Sequence, residues 1–136
     1  METPLLEIRD VKKYFPVKKV HGKEITVKAV DSINLKINQG EIVGLVGESG
    51  CGKSTLGKSI LKLHEITGGQ ILFHGEDITN YSDKQMRQIR GNVVSMVFQD
   101  PMTTLNPTIP IGKQITEAIL KHKNISKDAQ TKNKRR

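Results

Sequence analysis

A chain of 136 residues is long enough for one modest domain or for part of a larger one. No apolar run approaches the roughly 20 residues that cross a bilayer, and the N-terminus lacks the basic start and apolar centre of a signal peptide, so a cytoplasmic chain is expected. The formal charge is +8, but residues 121–136 carry seven basic side chains, one acid and no aromatic ring to stack a base, so the charge does not indicate nucleic-acid binding.

The first 40 residues predict an antiparallel strand region. Residues 5–11 and 24–37 show partial alternation of apolar and polar side chains, which is typical of half-buried strands. Between them, residues 14–16 and 18–23 predict a turn-rich excursion, and residues 38–40 predict a tight turn. Residues 41–46 follow as a nearly uncharged, β-branched run, which predicts a parallel strand buried on both faces.

A glycine-rich loop with the pattern G-x-x-x-x-G-K-[ST] follows that strand and precedes a helix-like run. Its glycines allow successive amides to point inward at an anion, and the helix adds its positive end. The pattern predicts a nucleoside triphosphate site, with Lys53 on the β/γ-phosphates, Ser54 as the protein ligand of Mg²⁺ and Thr55 as a weaker candidate for that ligand. The predicted cofactors are therefore ATP and Mg²⁺, and the predicted binding residues are Gly47, Glu48, Ser49, Gly50, Cys51, Gly52, Lys53, Ser54 and Thr55.

After the loop, Leu56, Ile60 and Leu63 predict one face of a helix that Gly68 and Gly69 end. A strand is predicted at residues 70–74, a turn at 75–77 and a second apolar strand at 93–98. Between these strands, a capping box of Ser82 and Gln85 predicts a short helix with Met86 on its apolar side. A final helix is predicted to begin near Gly112.

Three other interpretations of the loop stay open at this stage. It could be a turn that binds nothing, the phosphate loop of a small kinase, or part of a binding module without turnover. Kinases of this type usually start with the loop near the N-terminus, whereas 46 residues precede it here. Transfer of phosphate to small acceptors would identify a kinase.

Two segments together resemble the nucleotide-binding subunits of ATP-binding cassette transporters. They are residues 46–56, which contain the loop, and residues 97–107, which read Val-Phe-Gln-Asp-Pro-Met-Thr-Thr-Leu-Asn-Pro. The likeness is strongest to the branch that imports peptides and nickel, and it extends from about residue 5 to residue 123. It implies an α/β fold: a P-loop NTPase core with an N-terminal antiparallel β-subdomain, truncated before the helical subdomain that carries the family signature.

The resemblance also implies roles for single residues. Phe15 matches the aromatic residue that stacks on adenine, with Tyr14 as the alternative. Gln99 matches the glutamine that senses Mg²⁺ and the attacking water, which makes Gln99 and Lys53 the catalytic candidates and Gln99 a metal candidate beside Ser54. The implied partners are integral-membrane permease subunits, a second ATP-binding subunit and, indirectly, an external solute-binding protein, at the cytoplasmic face of the membrane.

The family's hydrolysis machinery includes an Asp-Glu strand end, a Leu-Ser-Gly-Gly-Gln signature and a switch histidine, and none of these appears in the sequence. ATP binding with poor hydrolysis is therefore expected. The implied organisation is an ATPase portion at residues 1–120, with a β-region at about 5–38, a core at about 40–100 and a Q-loop region at 99–110. Residues 121–136 would begin the helical subdomain or form a frayed tail.

The resemblance implies, finally, that the chain is the N-terminal portion of a longer protein. In the family, the strand that enters the loop lies between strands that come later in the sequence. We therefore expect residues 42–46 to present an unpaired apolar edge, and the isolated chain to aggregate or pack loosely unless another polypeptide covers it.

Overall fold

The computed structural model describes residues 3–20, 23–98 and 105–122. Within that part of the chain, four strands form one sheet: β1 (Leu6–Val20), β2 (Lys23–Ile37), β3 (Gly68–Phe73) and β4 (Glu76–Asp77). Three helices accompany them: α1 (Lys53–Ile60), α2 (Asp83–Ile89) and α3 (Ile111–His122). The chain divides into two compact units, Met1–Met86 and Arg87–Arg136, and the division falls within α2.

The sheet has the order β2-β1-β3-β4, and every pair in it is antiparallel. In the central strand, Ile8 lies opposite both Leu35 of β2 and Ile71 of β3. Ile8 and Ile71 are buried, and the core of the first unit is completed by apolar residues from the sheet, α1 and α2. These buried residues are Leu6, Ile8, Val11, Val30, Leu56, Leu61, Ile71, Ile78 and Met86. The predicted antiparallel region is confirmed.

One carboxylate is buried at the sheet surface. Glu7 is 9% exposed, and its two oxygens accept from Arg9 Nη2 at 2.8 Å and Lys36 Nζ at 3.0 Å. These two hydrogen bonds, first from Arg9 and then from Lys36, lower the pKa of Glu7 below its ordinary value. The Lys36 ion pair therefore connects β2 to β1 through a carboxylate that is kept charged.

The turn-rich excursion predicted between the first two strands is wrong. Tyr14, Phe15 and Pro16 belong to β1 and pair with Lys28, Val27 and Thr26 of β2. The pairing with β3 ends at Lys12, so beyond that point β1 has no strand on its second side among the described residues. Proline is tolerated there because an edge position has no ladder hydrogen bond to lose. A shift in the strand register next to Pro16 accommodates its fixed backbone angle. Residues 21 and 22 lie outside the described part of the chain.

The prediction of a buried parallel strand at residues 41–46 is also wrong. These residues form no ladder with any described strand, and Ile42 is 98% exposed and Val46 95% exposed. The expectation of an unpaired apolar segment is met. Similarly, the strand predicted at 93–98 is reduced to a single bridge between Arg90 and Val94, with Val97 93% exposed.

Three smaller predictions need correction. Helix α1 ends at Ile60, so Leu63 lies beyond it and is exposed, and Gly68 and Gly69 begin β3 instead of ending the helix. Gly69 has φ +86°, and a side chain there would meet the Arg9 and Asp10 carbonyl oxygens, so the two strands can approach only at a glycine. The predicted turn at 75–77 places its last two residues in β4.

The two remaining helices agree with the sequence. The Gln85 amide donates at 3.4 Å to the Ser82 hydroxyl, while the Gln85 side-chain oxygen accepts from the Ser82 amide at 2.9 Å, which is the predicted capping box. Met86 is fully buried. Helix α3 begins at Ile111, one residue before the predicted start, and its Gln114 side chain donates to the Ile109 carbonyl at 2.7 Å.

Candidate functional site: the phosphate loop

The glycine-rich loop leads directly into α1. The Cys51 amide donates to the Glu48 carbonyl at 3.3 Å and closes the turn, and the Leu56 amide donates to the Gly52 carbonyl at 2.8 Å as the first hydrogen bond of the helix. Gly52 is the N-cap residue and has no side chain to cap the helix. The loop and the helix N-terminus are therefore one continuous turn, as the motif predicts.

Two glycines of the loop adopt a left-handed backbone. Gly50 has φ +82° and Gly52 has φ +95°, which L-residues with side chains adopt only under strain. Gly52 is further restricted by its surroundings, because an added Cβ would lie 2.0 Å from the carbonyl oxygen of Ala29 in β2. The loop thus rests directly on the backbone of the antiparallel hairpin, and only glycine fits at the contact.

The Lys53 ammonium group lies inside the loop. Its Nζ donates to the carbonyl oxygens of Gly47 at 2.7 Å and Glu48 at 2.5 Å, and lies 3.3 Å from Cys51 Sγ. An ammonium group has three donors, so both carbonyls and the thiol occupy its full capacity. Because sulfur is a weak acceptor, the third donor is the one that a phosphate oxygen would capture at least cost.

Four amides at the N-terminus of α1, from the N-cap onward, have no backbone acceptor among the described residues. They belong to Gly52, Lys53, Ser54 and Thr55, and such amides are usual at a helix N-terminus. They combine with the positive end of the helix dipole, and the adjacent Lys53 adds a full charge. The arrangement suits an anionic ligand with several oxygen acceptors.

The remaining loop residues leave the ligand side accessible. Glu48, Ser49, Gly50, Cys51 and Ser54 are exposed, and Gly47 is exposed as well. The Ser54 hydroxyl forms no hydrogen bond with a described residue, and Ser54 is exposed whereas Thr55 is half-buried. Cys51 is a free thiol, and its Sγ packs where a Cβ on Gly47 would lie. Ser54 is therefore the better placed of the two hydroxyls for a metal ion.

A cavity of about 350 Å³ lies beside the loop. Its walls come from β2, from the end of the segment that enters the loop, and from the loop itself; they include Lys28, Ala29, Val30, Asp31, Ile33, Leu45, Val46, Cys51, Gly52, Lys53 and Leu56. Both apolar and charged side chains line it. A second, smaller cavity of about 130 Å³ lies along the end of α1 and β3, and includes Ser59, His64 and Thr79.

Asp31 connects the first cavity to β1. Its carboxylate accepts from the Tyr14 hydroxyl and from Lys28 Nζ, the latter at 3.1 Å. The Tyr14 hydrogen bond is the main cause of the lowered pKa of Asp31, and the same contact raises the pKa of the Tyr14 hydroxyl. Sequence reasoning did not assign Asp31 a role, because a contact between residues 14 and 31 depends on the strand pairing, not on a local pattern.

The two candidate aromatic residues have different surroundings. Phe15 packs edge-on against the His64 ring, with 5.6 Å between ring centroids, and Lys13 Nζ lies 4.7 Å from the centre of the Phe15 ring. Tyr14 instead contacts Asp31, a residue that lines the cavity at the loop. Neither contact tests adenine stacking, so both assignments stay predictions. Gln99 lies outside the described residues.

Two classes of feature are missing from the described part of the chain. No described helix is both long and apolar enough to span a bilayer. Across residues 3–20, 23–98 and 105–122, no group of three His, Cys, Asp or Glu side chains is placed to hold a metal ion.

Comparison with solved structures identifies the fold. The ATP-binding cassette MJ0796 in a dimeric, post-hydrolysis state bound to ADP and Pi is similar to this chain, with a TM-score of 0.78. The match covers 93% of this chain and 53% of that one at 23% sequence identity. A second dimeric structure of MJ0796 gives a TM-score of 0.76. The predicted fold, an ABC ATPase core of which only part is present, is confirmed.

Curated relatives are more similar in sequence. The oligopeptide transport ATP-binding protein OppD of Bacillus subtilis is 44% identical over 135 residues, and the dipeptide transport ATP-binding protein DppD of the same species is 49% identical over 112. The probable D,D-dipeptide transport ATP-binding protein DdpD of Escherichia coli is 45% identical over 132 residues. These matches cover 96%, 79% and 93% of this chain but only 36%, 33% and 39% of the relatives.

The chain thus spans about a third of the length of the curated relatives it matches. The ABC transporter family model matches residues 30–135, which include the whole phosphate loop. With the loop geometry, the cassette fold and these relatives in agreement, the chain belongs to the ABC transporter family.

Proposed function

We propose that this chain is the ATP-binding part of a subunit that powers the import of peptides or related solutes. The observation that carries the proposal is the position of Lys53, whose ammonium group is held inside the glycine-rich loop by the Gly47 and Glu48 carbonyls. The similarity to OppD, DppD and DdpD, which are named as oligopeptide and dipeptide transport proteins, supports the choice of solute class.

The loop fits the triphosphate of ATP. Two left-handed glycines turn the backbone within the loop, as a concave row of amides requires, and the Lys53 ammonium group lies inside the loop. On binding, one Lys53 donor would exchange the Cys51 thiol for a phosphate oxygen, and the carbonyls of Gly47 and Glu48 would keep the ammonium group in place. The loop residues therefore bind and orient the phosphates without a large rearrangement of the helix.

Mg²⁺ fits the same site through Ser54. The ion prefers oxygen ligands in an octahedral arrangement and usually keeps water and phosphate oxygens among them. The exposed Ser54 hydroxyl has no competing partner among the described residues, so it can supply one protein ligand. The bound ion would neutralise charge on the phosphates, and Gln99 is proposed to orient it and the attacking water.

We further propose that this chain alone hydrolyses ATP at a rate near background. Positioning of the phosphates is provided by the loop, but the sequence contains no Asp-Glu pair to polarise water and no Leu-Ser-Gly-Gly-Gln signature. Electrostatic stabilisation from the loop contributes only part of a phosphoryl-transfer barrier. Turnover that survives repurification and disappears with Lys53→Ala would contradict this part of the proposal.

The proposed assembly is a peripheral one at the cytoplasmic face of the membrane. Permease subunits would provide the transport path, and a second ATP-binding subunit would complete the nucleotide site. The solved MJ0796 cassettes are described as dimeric, which supports pairing of two such subunits. Nucleic acid is not among the proposed partners.

Calorimetry with Mg-ATP tests the proposal. Lys53→Ala removes a charge-assisted contact of about 1.5–3 kcal/mol, so we expect the affinity to fall by about ten- to a hundredfold. Lys58→Ala is the matched control, because Lys58 lies in the last turn of the same helix and is not part of the loop. We expect Lys58→Ala to change the affinity less than about twofold. No heat of binding, or equal losses in the two variants, would refute the proposed site.

A further inference from the structure

We propose that the Asp31 carboxylate accepts hydrogen bonds from the ribose hydroxyls of the bound nucleotide, so that the site selects ribonucleotides over deoxynucleotides. This inference rests on the proposed function, because the phosphates of the same nucleotide are held by the loop. Asp31 belongs to β2 and lies outside the phosphate-loop motif. The hairpin would thereby contribute a specificity residue to the nucleotide site.

Asp31 and the phosphate loop line the same cavity. Gly52 and Lys53 form one part of its wall and Asp31 forms another, and its volume is about 350 Å³. Leu45 and Leu56 add apolar surface to the wall. Pockets for small ligands typically measure about 300–1,000 Å³ and combine apolar walls with a few polar groups, so this cavity can hold a sugar that is joined to phosphates on the loop.

The position of Asp31 along β2 fits the length of a nucleotide. Gly52 lies against the Ala29 carbonyl oxygen, which a Cβ on Gly52 would approach to 2.0 Å. Asp31 is two residues further along the strand, a distance of about 7 Å. In a nucleotide, one methylene group joins the ribose to the innermost phosphate ester, so the ribose hydroxyls lie only a few bonds from the phosphates. Phosphates at the loop therefore leave the hydroxyls within reach of Asp31.

The Asp31 carboxylate has capacity for further donors. Its Oδ1 accepts from the Tyr14 hydroxyl and its Oδ2 accepts from Lys28 Nζ at 3.1 Å. An ionised carboxylate has about four acceptor sites, so each oxygen can accept once more. The Asp31 side chain is 43% exposed, which leaves these sites accessible. Carboxylates are well suited to ribose, because adjacent hydroxyls present donors to adjacent oxygens.

Tyr14 and Lys28 orient the carboxylate and keep it charged. Lys28 Nζ also lies 5.3 Å from the centre of the Tyr14 ring, so the three side chains form one cluster. The hydrogen bonds from Tyr14 and then from Lys28 lower the pKa of Asp31, so the carboxylate is ionised at neutral pH and only accepts. Lys28 also offsets the negative charge that would otherwise repel the phosphates. An acceptor oriented in advance loses less freedom when the ligand binds.

Calorimetry with Mg-ATP and Mg-2′,3′-dideoxy-ATP tests the inference. We expect the unmodified chain to bind ATP about tenfold more tightly, because the dideoxy nucleotide cannot donate to the charged acceptor. The 2′-deoxy and 3′-deoxy nucleotides then identify which hydroxyl contributes. The ratio of the two affinities is the decisive quantity, because a general weakening of the site by a substitution affects both nucleotides equally.

Three substitutions assign the ratio to Asp31. Asp31→Ala removes the acceptor and should reduce the ratio to below about twofold, and Asp31→Asn, which keeps the shape but loses the charge, should reduce it partly. Asp77→Asn is the matched control. The Asp77 oxygens accept from the Thr79 amide at 2.9 Å and the Gln70 side chain at 3.1 Å, but Asp77 lies on β4, at the opposite edge of the sheet from β2. Its substitution should leave the ratio near tenfold.

The outcomes separate this inference from the proposed function. Lys53→Ala should weaken the binding of both nucleotides and keep their ratio, since Lys53 is assigned to the phosphates. Equal affinities of the unmodified chain for ATP and dideoxy-ATP would overturn the inference and leave the phosphate site standing. A ratio that persists in Asp31→Ala would overturn it as well. Absence of binding by both nucleotides would overturn the proposed function and this inference together.

Discussion

The contact between the phosphate loop and the hairpin can be measured with three glycine-to-alanine variants. At Gly52 the new Cβ would lie 2.0 Å from the Ala29 carbonyl oxygen, and φ is +95°. At Gly50 φ is +82° but the added atom meets nothing within 4 Å, and at Gly44 there is neither a positive φ nor a contact. The three positions thus separate backbone strain from steric overlap.

The expected magnitudes follow from these distances. A left-handed backbone costs an L-residue about 1–2 kcal/mol, partly offset by about 0.4–1 kcal/mol from the lower entropy of the unfolded chain. Gly50→Ala should therefore lower the free energy of unfolding by about 1 kcal/mol, and Gly44→Ala should leave it unchanged or slightly higher. At Gly52 the carbon and oxygen atoms must also separate by more than about 1 Å, which moves backbone and raises the total to about 3–4 kcal/mol.

Urea denaturation followed by circular dichroism measures the series. With a slope of about 1 kcal/mol per molar urea, Gly52→Ala should lower the midpoint by about 3 M and Gly50→Ala by about 1 M. Amide exchange in β2 should rise in the Gly52 variant, because Ala29 must move. Equal midpoints for the Gly50 and Gly52 variants would show that the loop does not rest on Ala29, and would refute the reasoning.

Three further predictions concern single hydrogen bonds. Because the pKa of Glu7 in the folded chain lies below its ordinary value of 4.5, the folded chain binds fewer protons than the unfolded one as the pH falls. The stability that Glu7 contributes is therefore present above about pH 5 and is lost as the pH falls through the folded pKa. Glu7→Gln should therefore flatten the acid limb of a plot of unfolding free energy against pH, and an unchanged limb would contradict the assignment. Tyr14→Phe should raise the pKa of Asp31, which carbon-detected NMR of the Asp31 carboxyl group measures. An unchanged pKa would show that the Tyr14 hydroxyl is not the main cause of the lowered value. Ser82→Ala should cost about 1 kcal/mol by removing the capping box with Gln85, and a loss below about 0.3 kcal/mol would mean that the cap does not hold α2.

The local features of the chain were predictable from the sequence. The phosphate loop, the capping box and the start of α3 each depend on residues within about eight positions of one another, so a local sequence pattern is enough to predict them. The predicted length of helix α1 is too great, because the apolar spacing from Leu56 continues to Leu63 although the helix ends at Ile60. Periodicity identifies a helix face better than it locates the end.

Features that depend on distant residues were not predictable in the same way. Pro16 indicates a turn when β1 is considered alone, and only the absence of a described β3 partner beyond Lys12 explains why a strand continues through it. The Tyr14–Asp31 contact similarly requires the cross-strand pairing. Composition predicted burial for residues 42–46, but burial requires neighbouring strands, and no described strand pairs with this segment.

The phosphate loop packs directly against the N-terminal hairpin. Ala29 limits the approach of Gly52, and Asp31, two residues further along β2, lines the cavity at the loop while it binds Tyr14 of β1. A change in the register of β1 and β2 would therefore move the surface on which the loop rests. Since an anion site depends on amides held in a fixed concave arrangement, we expect the N-terminal hairpin to affect the proposed phosphate binding through the position of the loop backbone.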